Sequence, residues 1–212
     1  MNILNYDGFK VGSLAEIIEK QKEIMFAFEP NLKQRVEDFD IDIFEDQMLL
    51  KDFLLVRTVE EITEAGSAIK ANHIEHYKEE IIDVFNFLIE TAIILNYPID
   101  VPDNVNIQDY FKEVTLYEFK EVCNNIEEQT EYILKHLFEL IQSIGELTNV
   151  LKLRPWRQSQ YPVDLLIFKQ RWERIWVHFW LSQKITGFSW EEFKIIWSKK
   201  YQVNKFRIDS SY

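Results

Sequence analysis

VEEITEAGSAIK at residues 59–70 and YKEEIIDVFNFLIE at residues 77–90 are the two stretches that decide how this chain folds. Glu61 and Glu64 lie three positions apart in the first stretch, as do Glu80 and Asp83 in the second. On an α-helix this spacing puts both carboxylates of a pair on one face. Residues 65–79 leave room for the end of one helix, a turn and the start of the next. Antiparallel packing of the two helices would therefore bring four carboxylates together.

Four carboxylates in one small volume repel each other by kilocalories per mole unless a cation lies among them. Grouped oxygen ligands are typical of Mg²⁺ sites, and Mg²⁺ commonly binds together with phosphates. Acidic pairs at this spacing also occur on solvated helix faces. The second pair, however, lies in the largely apolar segment 80–88, which contains no Lys or Arg. Because buried carboxylates need partners, we predict that Glu61, Glu64, Glu80 and Asp83 are Mg²⁺ ligands.

The composition favours a compact helical protein without a nucleic-acid partner. The chain has 212 residues, of which 47% are hydrophobic and 15% aromatic, but only 5 Gly and 5 Pro for turns. A net charge of −12 argues against binding to a nucleic-acid backbone, although a metal-bound nucleotide stays compatible with it. The single cysteine, Cys123, is expected to be a buried small hydrophobe. Without a signal peptide or a transmembrane run, we expect no membrane association and a cytoplasmic location.

Periodicity predicts an all-α fold, a multi-helix bundle in a single domain spanning residues 1–212. Its metal-binding half covers about 13–97, its linker about 97–106, and its second half about 107–212. Capping boxes mark three helix starts, namely Ser13 with Glu16, Thr115 with Glu118, and Ser189 with Glu192. Apolar spacing and prolines predict helices over about 13–28, 44–70, 74–96, 116–153, 163–186 and 190–206. The alternation expected of strands is absent.

The two halves of the chain suggest an internal repeat. A shift of about 82 residues places ELTNVLK, ending at Lys152, on EAGSAIK, ending at Lys70. In this alignment Glu64 corresponds to Glu146, and Glu61 to Ser143. A shift of 91 residues places Arg171 on Glu80 and Arg174 on Asp83. Amphipathic helix pairs can resemble each other without common origin. In either case only the first half has the acids for a metal site.

The acidic motifs carry a resemblance to a known family. E-x-x-E followed by E-x-x-D resembles the all-α NTP pyrophosphatases, the group that includes MazG and the dimeric dUTPases. EIIDVFNF at residues 80–87 is similar to the corresponding run of the dimeric dUTPase branch. The C-terminal SKKYQVNKFRIDSSY at 198–212 also resembles the K-N-x-x-N-x-[FA]-R-Q-x-x-G-Y tail of that branch and of phage dCTP/dUTP pyrophosphatases.

This resemblance implies hydrolysis of a nucleoside triphosphate to a monophosphate and pyrophosphate with Mg²⁺. It implies that Glu61, Glu64, Glu80 and Asp83 are catalytic as well as metal-binding, with Glu61 as the base. The implied substrate-binding residues are Gln21 on the first helix, for the base of the nucleotide, and Lys200, Asn204, Arg207 and Tyr212 in the tail.

Three tail positions depart from the pattern, because Tyr201, Ile208 and Ser211 replace Asn, Gln and Gly. These departures leave the identity of the substrate undecided between dUTP, dCTP, a modified pyrimidine nucleotide and a purine nucleotide.

Two other groups of residues have a simpler interpretation. His73 and His76, with Glu75 and Glu79 nearby, have a spacing compatible with zinc, but a surface cluster at a turn is the favoured interpretation. Five tryptophans at helical spacing favour core or subunit packing over base stacking: Trp172, Trp176, Trp180, Trp190 and Trp197.

The sequence thus predicts an all-α, Mg²⁺-dependent pyrophosphatase acting on dUTP or dCTP. The family implies a homodimer, and the aromatic amphipathic helices agree with one. A monomer in which the second half replaces the partner is the alternative. The competing function is a helical interaction scaffold, a pyrophosphatase fold that has lost or altered its catalysis.

Overall fold

The computed structural model describes residues 8–97, 126–152, 161–186 and 188–210. Within these ranges all regular secondary structure is helical, which confirms the predicted all-α class. The elements are α1 (Leu14–Phe28), α2 (Leu32–Glu37), α3 (Phe44–Lys51), a π-helical segment (Asp52–Thr58), α4 (Val59–Lys70), α5 (Ile74–Leu95), α6 (Ile126–Val150), α7 (Leu165–Ile185) and α8 (Trp190–Asp209). None of the helices in these ranges combines the length and apolar character needed to cross a bilayer.

Two of the predicted capping boxes define helix starts. Ser13 accepts a hydrogen bond from the backbone N–H of Glu16, whose own carboxylate accepts from the N–H of Gly12 at 2.7 Å. Ser189 caps α8 in the same way through the N–H of Glu192. Thr115 and Cys123 lie outside the described residues, as does most of the predicted linker.

Most predicted helix boundaries that fall on described residues agree with the structure to within a few residues, whereas the predicted start near residue 116 and end near residue 153 lie outside them. The short α2 was not predicted, and α8 continues to Asp209, beyond the expected end near Phe206. The predicted helix over residues 44–70 is continuous, but its middle is a π-helix in which the Thr58 hydroxyl donates to the carbonyl oxygen of Phe53 at 2.7 Å. A π-turn holds more residues than an α-turn, so this segment changes the rotation with which α4 presents its side chains.

A tight turn makes α4 and α5 antiparallel neighbours. Asn72 adopts the left-handed conformation at φ 57°, and the N–H of His73 donates to the carbonyl oxygen of Ala68 at 2.9 Å. Such a 6→1 bond satisfies one of the free carbonyls at the end of α4. The chain therefore reverses directly after α4, as the convergence of the two acidic pairs requires.

Helix α5 is the central element of the core. Most of its apolar side chains are buried, and the ring of Phe85 contacts aromatic rings of α7 and α8, with Phe193 at 4.8 Å between centroids. The buried Trp172, Trp176, Trp180 and Trp197, with the partly buried Trp190, belong to this one core. The tryptophans thus pack in the core, as one of the sequence interpretations proposed.

Candidate metal centre

Antiparallel α4 and α5 bring three of the four predicted acids into direct proximity. Glu61, Glu64 and Glu80 each offer a carboxylate oxygen, and these atoms all lie within 4.8 Å of one another. Glu80 is buried, Glu61 is half-buried and Glu64 is exposed. The cluster therefore opens to solvent at Glu64 and closes against the protein at Glu80.

Crowding changes the ionisation of Glu61. Burial, the nearby charge of Asp83 and a hydrogen bond to Glu80 raise the pKa of Glu61 to about 8. Near neutral pH the Glu61 carboxyl therefore keeps its proton, through which it donates a hydrogen bond to Glu80. Repulsion among carboxylates is relieved here by a proton, and a bound cation can relieve it in the same place.

Asp83, the fourth predicted ligand, is paired with a lysine side chain. Lys200 of α8 forms a salt bridge with its Oδ2 atom. Burial raises the pKa of Asp83, although the charge and hydrogen bond of Lys200 act in the opposite direction. The structure thus places a residue predicted to bind substrate directly on a residue predicted to bind metal.

A buried hydrogen bond fixes α8 against this part of α5. Trp197 donates from Nε1 to the Oδ1 atom of Asn86 at 2.8 Å, while Nδ2 of Asn86 lies 3.5 Å from Asp83. Both Asn86 and Trp197 are buried. Since Lys200 follows Trp197 by one helical turn, this bond sets the position of Lys200 over Asp83.

His76 is a neighbour of the cluster that the sequence interpretation assigned differently. Its Nδ1 atom lies 3.0 Å from Glu80, one helical turn away, and 4.0 Å from Glu79. His73 is exposed and caps the start of α5, and among the described residues neither histidine belongs to a group of three potential metal ligands. The i, i+4 spacing of His76 and Glu80 was the signal that could have found this contact.

Gln21, the candidate for reading the base, binds a carboxyl that the sequence interpretation did not include. Its Nε2 atom donates to Oε1 of Glu90 at 2.8 Å, and both side chains are buried. Burial raises the pKa of Glu90 to about 7, and the charges of Glu29 and Asp83 add to the rise. Glu90 follows Asp83 by seven residues, which is two helical turns, so both lie on the same face of α5. This spacing was the signal in the sequence that could have identified Glu90.

Glu90 should make the stability of the protein depend on pH. The folded protein holds this proton up to about pH 7, whereas the unfolded chain releases it near the ordinary value of 4.5. Between these values the folded state binds more protons, so stability falls as pH rises. Glu90→Gln should therefore be more stable than the wild type at pH 8, by up to roughly 3 kcal/mol, and equal to it near pH 4.5. Urea unfolding in EDTA at both pH values measures this difference.

Glu23→Gln is the matched control, because Glu23 is an exposed carboxylate on the same helix as Gln21. Its stability should follow that of the wild type at both pH values. A Glu90→Gln advantage that is the same at pH 4.5 and pH 8 would contradict a raised pKa at this residue.

The tail residues share one face of α8. Lys200, Asn204 and Arg207 are spaced i, i+4, i+7, and the Oδ1 atom of Asn204 accepts a hydrogen bond from Nη1 of Arg207 at 3.5 Å. Arg207 is exposed, and the helix places it about 10 Å along its axis from Lys200. The structure therefore brings Lys200, but not Arg207, onto the acids. Tyr212 lies outside the described residues.

The second half replaces the acids with internal ion pairs. Helices α6 and α7 pack as a pair, and Glu146 of α6 forms salt bridges with Arg171 and, at 3.2 Å, with Arg174 of α7. These are the residues that the repeat alignment places at Glu64, Glu80 and Asp83. Arginine thus supplies the positive charge at this contact in the second half, whereas Glu61, Glu64 and Glu80 have no Lys or Arg among them.

No protein-family profile, curated protein or solved structure matches this chain.

Proposed function

We propose that this protein is a Mg²⁺-dependent nucleoside triphosphate pyrophosphatase that hydrolyses dUTP or dCTP to the monophosphate and pyrophosphate. The observation that supports this most is the convergence of Glu61, Glu64 and Glu80, each of which offers a carboxylate oxygen within 4.8 Å of the others. The proposal also rests on the resemblance of the E-x-x-E and E-x-x-D motifs to the all-α NTP pyrophosphatases.

The donor set fits Mg²⁺ better than a softer metal. Glu61, Glu64 and Glu80 supply only carboxylate oxygens, and the exposed side of the cluster leaves room for water and phosphate. Glu61, Glu64, Glu80 and Asp83 would hold the ion. When bound, Mg²⁺ neutralises phosphate oxygens and lowers the pKa of the attacking water.

Glu61 is the residue we assign to accept the proton of the attacking water. A carboxylate in an apolar, acidic setting is a stronger base than one in water, and these factors raise the pKa of Glu61. With the ion in place the Glu61 carboxyl would be ionised and able to accept this proton, and the neighbouring Glu80 would hold the same ion beside it. His76, at 3.0 Å, in turn orients Glu80.

Basic residues of α8 would bind the triphosphate. Lys200 already lies over Asp83, so a small rotation of its side chain would move its ammonium from this carboxylate to a phosphate oxygen. Asn204 and Arg207 continue the same face and would contact the more distant phosphates or the sugar. Gln21 and Glu90 form a buried polar pair that we propose contributes to recognition of the base.

Product analysis with a panel of nucleotides tests this function. The purified protein is incubated with each common dNTP and NTP, with Mg²⁺ or with EDTA, and the products are separated. We expect pyrophosphate and monophosphate in equal amounts from a pyrimidine deoxynucleotide, and only with Mg²⁺. Preference for a purine or modified base would change the substrate but leave the reaction class intact.

A non-enzymatic scaffold is the second candidate, favoured by one observation. Lys200 already neutralises Asp83, as a protein that no longer binds metal would require. A folded protein that releases no pyrophosphate from any nucleotide of the panel would favour this alternative.

A further inference from the structure

A second cluster of potential ligands lies between α6 and α7, in the half of the protein without the acids. His136 and Glu139 of α6 and His178 of α7 each offer a ligand atom, and these atoms all lie within 4.8 Å of one another. The Nδ1 atoms of His136 and His178 lie 3.1 Å and 3.2 Å from Oε2 of Glu139. Two imidazoles from different helices thus approach a single carboxylate oxygen.

Neither nitrogen of the His136 imidazole has an aligned hydrogen bond within the described part of the chain, although Nδ1 faces Glu139. The residue is only 6% exposed. The Nδ1 atom of His178 is also buried without a hydrogen bond. Although both Nδ1 atoms lie near Glu139, neither is aligned with it for hydrogen bonding. Buried polar atoms without hydrogen bonds are costly, and a cation bound beside Glu139 would satisfy the two Nδ1 atoms that face this carboxylate.

The distances match the coordination shell of zinc. With Zn–N and Zn–O distances of about 2.0–2.2 Å, tetrahedral geometry separates neighbouring ligand atoms by about 3.3–3.5 Å. The two Nδ1–Oε2 distances are close to this value, so small shifts would allow one ion to contact all three atoms. Two nitrogens and one oxygen suit Zn²⁺, whereas Mg²⁺ prefers oxygen alone.

The charge state of the histidines is suitable as well. Burial lowers the pKa of both His136 and His178, although the charge of Glu139 acts in the opposite direction on each. Neutral imidazole is the form that binds metal. Glu139 and His178 are partly exposed, at 27% and 13% of their side chains, so that solvent can reach the fourth coordination position.

The positive charge of Arg174 lies beside His178, but Arg174 also pairs with Glu146 and can leave His178 free to bind the ion. It donates from Nε to Nε2 of His178 at 3.4 Å, a weak contact, and from Nη1 to Glu146 at 3.2 Å. Coordination through Nδ1 would put the hydrogen of His178 on Nε2. The guanidinium would then move away from His178 and keep its salt bridge with Glu146.

We propose that His136, Glu139 and His178 form a Zn²⁺ site that links α6 to α7, distinct from the carboxylate cluster between α4 and α5. The ion has three protein ligands and one position open to water. This inference does not depend on the proposed pyrophosphatase activity. The second half would thus bind Zn²⁺ through nitrogen and oxygen, whereas the first half would bind Mg²⁺ through oxygen alone.

Zinc titration of the full-length protein tests the site. The protein is freed of metal with EDTA, transferred into buffer with excess Mg²⁺ to saturate the carboxylates, and titrated with Zn²⁺ against a chromophoric chelator. We expect one Zn²⁺ per chain, and an affinity that falls by roughly 100-fold or more in His178→Gln and in Glu139→Gln. Co²⁺ should give the intense visible absorption of a tetrahedral site in the wild type and not in the two variants.

His73→Gln is the matched control, because it removes an exposed imidazole from the pair with zinc-like spacing. Its Zn²⁺ stoichiometry and affinity should equal those of the wild type. Circular dichroism verifies the fold of each variant, and Glu139→Gln, at the more exposed position, keeps the test valid if His178→Gln unfolds. The absence of saturable Zn²⁺ binding, or binding unchanged in a folded variant, would overturn the proposal.

Discussion

Glu80→Gln and Asp83→Asn should each abolish Mg²⁺-dependent nucleotide hydrolysis, and Glu80→Gln should do so without loss of stability. Both residues lie on the face of α5 that meets α4, and Glu80 is buried in the cluster. A metal that stabilises charge at phosphorus contributes several kcal/mol, so we expect turnover to fall by roughly 10³-fold or more. In EDTA the Glu80→Gln protein should be as stable as the wild type or more stable, because one repelling charge is removed. Steady-state kinetics and thermal unfolding measure the two effects.

Glu79→Gln provides the control for these variants. Glu79 precedes Glu80 on the same helix, but 59% of its side chain is exposed. Glu79→Gln therefore removes the same charge as Glu80→Gln from a residue outside the cluster. Its turnover should stay near that of the wild type. Full activity in Glu80→Gln or Asp83→Asn, or wild-type activity in excess chelator, would contradict the assignment of these ligands.

Lys200→Gln and Arg207→Ala should reduce turnover while the protein still binds metal. A positive group that meets the charge growing on the leaving pyrophosphate typically contributes a factor of about 10²–10³. Because Lys200 competes for Asp83, the loss of this ammonium should leave Mg²⁺ affinity unchanged or higher. Parallel measurement of kcat and of Mg²⁺ affinity therefore separates a role in substrate binding from a role in holding the acids.

Lys205→Ala is the control for α8, since Lys205 is exposed and pairs only weakly with Asp209 at 4.0 Å. Wild-type kinetics in both Lys200→Gln and Arg207→Ala would remove the tail from the proposed site. Loss of metal binding in Lys200→Gln would instead indicate that this lysine holds the carboxylates in place.

The helices were predictable because local signals agreed with one another. Ser13 and Ser189 begin helices as their capping boxes indicate, and the acids of α4 and α5 converge because a short turn joins two amphipathic helices. The π-helical segment was not predictable, since DFLLVRT has ordinary helix-forming residues and the extra residue per turn follows from packing. The homodimer and the single domain stay predictions.

Contacts between distant segments limited prediction of the site. Lys200 on Asp83 and Gln21 on Glu90 join residues far apart in the chain, which only the packed helices bring together. The same holds for His178, which lies on a different helix from His136. The pattern of charged residues along one helix shows which of them share a face. Their contacts depend on which helix packs against that face.

Binding of Mn²⁺, a paramagnetic substitute for Mg²⁺, shows directly whether the acids of α4 and α5 form a metal centre. Electron paramagnetic resonance counts the free ion in solutions of the EDTA-treated protein, with and without competing Mg²⁺. We expect at least one bound Mn²⁺ per chain that Mg²⁺ displaces, and its loss in the Glu61→Gln/Glu80→Gln double variant. No Mn²⁺ that Mg²⁺ can displace, or equal binding by the wild type and a folded double variant, would contradict a metal centre between α4 and α5.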